Sequence, residues 1–255
     1  MQRFTLSVLA PDQSPACQWG SILHGMLMEK LPSDWGDKLH TSMVHPFSQY
    51  VEVTGHGTFL WHLHALDDCL GDIIAGILHG DWESKKLGTT FHLGEVTREI
   101  VSPAEFMKPF FLSRQPPNGL VLNFQTPSTH KVQGRYAIFP SAELIGQSLA
   151  SRFCSIEPTF ALGDPEVLEQ VVSHTRISRY RLQSTTYGLE SSWVTGYIGR
   201  LELHFDGPDA LCRLAGVLYS LADWCGVGIK TALGMGGCVT SPLPDRKKYE
   251  RNIVI

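Results

Sequence analysis

The chain has 255 residues, 43% of them hydrophobic, and a formal net charge of −4. That is ample material for one large core or two of about 120 residues each, and no apolar run approaches the roughly 18 residues of a membrane span. The negative charge excludes a uniformly basic nucleic-acid binder. Six cysteines without a Cys-x-x-Cys exclude a zinc ribbon or a dense disulfide framework, so a reduced, cytoplasmic setting is expected.

The first residues alternate, with Phe4, Leu6 and Val8 apolar, as a half-buried strand requires. They are too short and too regular for a secretion signal. Ile22, Leu23, Met26, Leu27 and Leu31 recur at helical spacing. Residues 59–65 alternate again, with Trp61 and Leu63 on one face and His62 and His64 on the other. Asp67 and Asp68 are suited to cap a helix over 69–78, and 91–101 reads as a strand. Residues 115–119, Gln-Pro-Pro-Asn-Gly, are a polar linker that neither element type can continue through.

The plan then repeats. A strand over 120–124 is followed by helices over 141–153 and 164–175, with Pro165 in a first helical turn. Strands over 177–187 and 192–205, a helix over 208–225, a glycine loop and a short strand over 238–240 complete it. Two βαββαβ-like halves imply an α+β fold of two tandem ferredoxin-like (RRM-like) domains. They occupy 1–115 and 120–245, with a charged tail over 246–255. The tryptophans, including Trp193 and Trp224, read as core residues.

Residues 226–237 hold Gly226, Gly228, Gly234, Gly236 and Gly237 around Lys230 and Thr231. Glycine lets backbone N–H groups approach a ligand closely, and successive N–H groups can form an anion-binding nest. Two nucleotide motifs fail on spacing. A P-loop would place its lysine after the second glycine group. A dinucleotide fingerprint would need a third glycine where Thr231 stands. A tight turn before a last strand remains the alternative. Charge is uneven: residues 1–125 carry 8 Lys+Arg against 13 Asp+Glu, and 126–255 carry 13 against 12. A polyanion site is therefore local and belongs to the second half. Arg176, Arg179 and Arg181 around Tyr180 form its most basic stretch, and strand register puts Arg179 and Arg181 on one face. Guanidinium and phenol groups there can meet phosphates or stack on bases, although a solvated strand face has the same composition. His62-x-His64 lacks further ligands at zinc spacing, so neither a metal nor a cofactor is expected.

On this plan four motifs stand in order. They are Leu23-His24-Gly25 followed by Leu39-His40 and Pro46-Phe47-Ser48; Leu122-Asn123-Phe124 running into Thr126-Pro127-Ser128; Val194-Thr195-Gly196-Tyr197-Ile198-Gly199; and the terminal glycine loop. Together they resemble the CRISPR repeat-processing endoribonucleases of the RAMP superfamily, over nearly the whole chain. The resemblance implies binding of CRISPR repeat RNA and metal-independent cleavage of the precursor transcript. The 2′-hydroxyl would attack the adjacent phosphate, leaving a 2′,3′-cyclic phosphate and a 5′-hydroxyl. It points to His40 as the base, at the family's Leu-His position, since histidine titrates near pH 6.5. His45 would be the acid or a phosphate ligand. RNA contacts are expected from Lys230, Thr231, Gly228, Gly234 and Gly236, and from Arg176, Arg179, Arg181 and Lys131. Some such proteins only bind, so a non-catalytic RNA-binding subunit of a CRISPR ribonucleoprotein is the alternative. Other effector-complex proteins, or a second copy in a homodimer, are the partners the resemblance leaves open.

Overall fold

The computed structural model describes residues 1–11, 13–35, 39, 46–189 and 192–244. The first half runs β1 (Gln2–Leu9), a 3-10 turn (Cys17–Trp19), α1 (Gly20–Lys30), β2 (Phe47–Gly55), β3 (Thr58–Ala65), α2 (Asp68–Ile77), β4 (Asp81–Ser84), β5 (Thr89–Ile100) and α3 (Pro103–Leu112). The second runs β6 (Gly119–Ser128), β7 (His130–Val132), β8 (Arg135–Ala137), α4 (Ala142–Ile156), a 3-10 turn (Ala161–Gly163), α5 (Pro165–Ser173), β9 (Thr175–Gly188), β10 (Trp193–Phe205), α6 (Asp209–Ser220), α7 (Ala222–Cys225), a 3-10 turn (Thr231–Leu233) and β11 (Cys238–Pro242).

One antiparallel sheet has the order β2-β3-β1-β5-β4 and the other β11-β6-β10-β9. Without the added β4 hairpin strand, each places the first strand of a βαββαβ unit in the middle, beside the third and fourth. That is the tandem ferredoxin-like plan expected from the sequence. Local chemistry fixes the helix starts. Asp67 accepts a bond from the Leu70 N–H at 2.7 Å and caps α2. Ser102 and Glu105 form a reciprocal capping box on α3, and Asp164 caps α5 ahead of Pro165.

Several stretches depart from the sequence expectation. β2 has five consecutive buried residues at its start, so it lacks the alternation by which a strand is recognised. α3 carries prolines at 103 and 109. β7 and β8 are joined through Gln133 and Gly134, both with positive φ, which suits a two-residue hairpin turn. The segment 208–225 divides at Leu221 into α6 and α7. Trp193 is 69% exposed and is not a core residue, while Trp224 is buried as expected.

The two cores interlock. Leu66 from the first half and Phe106 from α3 lie in the second core, and Ala232 from the glycine loop lies in the first. Arg3 on β1 adds a polar tie. It bonds Glu99 and reaches Asp223 of α7 at 3.0 Å, with its guanidinium 4.8 Å from the Trp224 ring centre. Among the described residues no helix is long and apolar enough to cross a membrane.

Candidate functional site

His40 and His45 lie outside the described residues, but their flanks are fixed. Leu39 is buried in the first core. On the other side the Pro46 carbonyl accepts from the Leu66 N–H at 2.7 Å, and Phe47 opens β2. β2 pairs with β3 so that Ser48 opposes His64, Gln49 opposes Leu63 and Tyr50 opposes His62. The two faces of β2 then do different things. Gln49 points among the core groups, its amide bonded to Gly20, Ala232 and Trp61. Tyr50 stacks on His62 on the opposite face, which looks toward α7, ring centres 4.3 Å apart.

The glycine loop is a junction between the two halves. A Cβ on Gly20 would lie 2.7 Å from the Gly234 Cα, so the start of α1 and the loop touch backbone to backbone. The N–H groups of Gly228, Gly234 and Gly236 go to Ser148 Oγ, the Thr231 carbonyl and the Pro127 carbonyl. The open anion nest expected at these three glycines is therefore not formed. Their donors hold the loop's own path, and positive φ at each explains the residue type. Arg152 of α4 supports the loop from behind, donating to the Gly228 carbonyl at 2.7 Å and to Thr231 Oγ1 at 3.2 Å. Thr231 is only 3% exposed, which leaves its side chain inside the junction.

Lys230 differs from its neighbours. It has φ 59° and ψ 29°, an uncommon left-handed conformation for a residue with a side chain. It is half-buried, and among the described residues its ammonium has no ion-pair partner. Of the loop residues named from the sequence, it alone keeps a cationic group available to an anion.

The β9 arginines form a separate row. Arg181, Arg179 and Arg176 oppose Arg200, Glu202 and His204 of β10, three residues on one face. The register shifts between Glu202 and Leu203, and this bulge brings Arg176 into line with the other two. Arg176 is paired with Asp206 and Arg200 with Glu202. Beside Arg181 is an open depression of about 630 Å³ lined by Asn123, Gln125, Gln183 and Arg200, and floored at Gly199. Lys131 is exposed on the β7–β8 hairpin, opposite Tyr136.

Between the sheets lies a pocket of about 420 Å³ lined by Arg3, Thr5, Tyr50, His62, His64, Glu99 and Asp223. Its one guanidinium faces two carboxylates. Burial holds His62 below its ordinary pKa and lowers His64 to about 3. His62 lies 3.2 Å from Thr5 Oγ1 and 3.1 Å from Glu52, and His64 lies 3.2 Å from Ser48 Oγ. Burial also raises the Tyr50 hydroxyl well above its usual range. These groups stay neutral near neutral pH. No group of three or more His, Cys, Asp or Glu side chains that could hold a metal ion occurs among the described residues. Sequence reasoning missed Gln49, Arg152 and Tyr187, all polar groups placed by tertiary contacts rather than by a motif.

Comparison with known proteins agrees with this architecture. The family model described as CRISPR-associated endoribonuclease Cas6 matches residues 122–238. The chain is 28% identical over 252 residues to the CRISPR-associated endoribonuclease Cas6 of Mycobacterium tuberculosis, covering 96% of this chain and 79% of that protein. It is 28% identical over 235 residues to that of Streptococcus thermophilus, covering 88% and 91%. Among solved structures, Thermus thermophilus Cas6 superposes with a TM-score of 0.73 at 21% identity, covering 94% of this chain and 98% of that one. A Cas6 product complex superposes at 0.77 and 20% identity, covering 94% and 100%.

Proposed function

We propose, from its likeness to the CRISPR-associated endoribonuclease Cas6 family, that the chain binds CRISPR repeat RNA and cuts it by metal-independent transesterification. His40 takes the proton of the 2′-hydroxyl. The 2′-oxygen then bonds to the adjacent phosphorus as the bond to the 5′-oxygen breaks. His45 returns a proton to that leaving oxygen. The products are a 2′,3′-cyclic phosphate and a 5′-hydroxyl. Lys230 meets the phosphate backbone, and Arg179, Arg181 and Lys131 extend the contact along the RNA. The observation that carries this reading is the placing of Lys230. Its ammonium has no ion-pair partner among the described residues, and it is held in a left-handed backbone on a junction docked against the strand that follows His45.

The test is cleavage of end-labelled repeat RNA in EDTA by the wild type, His40→Ala and His45→Ala, with a second substrate carrying deoxyribose at the scission nucleotide. Wild type should cut the ribose substrate and leave the deoxyribose one intact. His40→Ala should lose about 10²–10⁴-fold in rate, the usual share of a positioned acid or base, and keep its RNA affinity. Cleavage of the deoxyribose substrate, or loss of cleavage in EDTA, overturns the mechanism. The acidic inter-sheet pocket favours a second reading, a subunit that binds repeat RNA at a restricted basic patch without cutting it. Binding by the wild type with no cleavage selects that reading.

A further inference from the structure

The cleavage reading divides the reacting groups between two halves of the chain. His40 and His45 precede β2 in the first half, and Lys230 sits on the loop of the second. Something must hold these parts in register, because a misplacement of about 1 Å can cost about 10²-fold in rate. We infer that Gln49 is the positioning residue that does so, reaching from β2 to fasten the Lys230 loop beside the strand that follows His45.

Gln49 is 1% exposed, and every polar group of its amide has a partner. Its Nε2 donates to the Gly20 carbonyl at 3.0 Å and to the Ala232 carbonyl at 2.7 Å. Its Oε1 accepts from Trp61 Nε1 at 2.6 Å, which fixes the amide's orientation. One side chain thus ties the start of α1, the middle of β3 and the turn that begins just after Lys230. Tyr187 answers from the other half. Its hydroxyl lies 2.9 Å from the Cys17 carbonyl and 3.0 Å from the Leu233 carbonyl, and donates its single proton between them. The turn Thr231–Leu233 is therefore held at two adjacent carbonyls, Ala232 and Leu233, by side chains from opposite halves. A buried amide is a costly group to place in a core without partners. An apolar residue would fill β2 as well. What the amide adds is a fixed direction between two segments distant in sequence.

The inference rests on the cleavage reading, and its test separates the two. Single-turnover cleavage rates and RNA dissociation constants are measured on the full chain for the wild type, Gln49→Met, Tyr187→Phe, Lys230→Ala and the Gln49→Met/Lys230→Ala double variant, with thermal melts of each. Gln49→Met should lower the single-turnover rate by about 10²-fold, the scale of a small misplacement, and change the RNA dissociation constant by less than about threefold, the pattern of a group acting on the reaction step. A merely structural loss would reduce the active fraction, read as amplitude, and leave the rate alone. In the Lys230→Ala background the further loss should shrink below about threefold, because both act through one contact. A folded Gln49→Met protein with wild-type rate, or losses that multiply in the double variant, overturns the inference. If Gln49→Met does not fold, Tyr187→Phe decides it: a slowed rate at unchanged amplitude supports the clamp and a wild-type rate overturns it. A wild type that never cuts would sink the cleavage reading and this role with it.

Discussion

His64 and His130 are both 5% exposed, and burial lowers them to about 3 and about 4. Each is bonded to a hydroxyl and not to a carboxylate: His64 to Ser48 and His130 to Tyr197 at 3.0 Å. Both are therefore neutral in the fold and protonated in the unfolded chain at any pH between those values and about 6.5. The stability they contribute is complete above about pH 6.5 and is lost as pH falls toward the folded values. The slope approaches about 1.4 kcal/mol per pH unit for each histidine. Melting temperature should fall between pH 6.5 and 4.5, and His130→Asn should flatten the fall. An unchanged pH slope in that variant would mean that His130 is already protonated in the fold. Lys230 is half-buried and has no ion-pair partner among the described residues, which suits it to an incoming anion.

At the scale of elements, the glycine loop is shaped by close approach and not by ligand binding alone. A Cβ on Gly236 would overlap the Val227 carbonyl, and φ there is 68°. Gly134 has φ 80° with nothing within 4 Å of a Cβ. Gly134→Ala should cost only the backbone strain, about 1–2 kcal/mol. Gly236→Ala should cost more, by urea unfolding with an unchanged m-value; equal losses would show that the loop shifts freely. Legibility follows the same physics. β1 and β3 were readable because their apolar side chains lie on the core face and polar ones on the other, which leaves alternation in the sequence. β2 was unreadable at its start because the domain junction covers both its faces. The glycine loop was visible as a motif, but the destination of its N–H groups depends on Ser148, Pro127 and Thr231, two of them far away in the chain. The histidine segment was legible through a family pattern alone, and nothing in its spacing distinguishes His40 from the other histidines.

The whole molecule is held together by polar ties as well as by interlocked cores. Arg3 is the bridge on the side of the inter-sheet pocket. Asp223 is pushed up by burial, and Arg3 works against that shift. Arg3→Met would leave a largely buried carboxylate unpaired, at a cost of about 1–3 kcal/mol. Adding Asp223→Asn should recover part of the loss in thermal melts. A double variant no more stable than Arg3→Met would mean that the ion pair is not what Arg3 contributes.

Ala232 in the first core also bears on how the molecule is made. During synthesis the strands and helices of the first half leave the ribosome long before residue 232 does. Their core lacks Ala232, and Gln49 lacks the Ala232 carbonyl it bonds, until the loop of the second half has been made. The first core is therefore completed only by the loop of the second half.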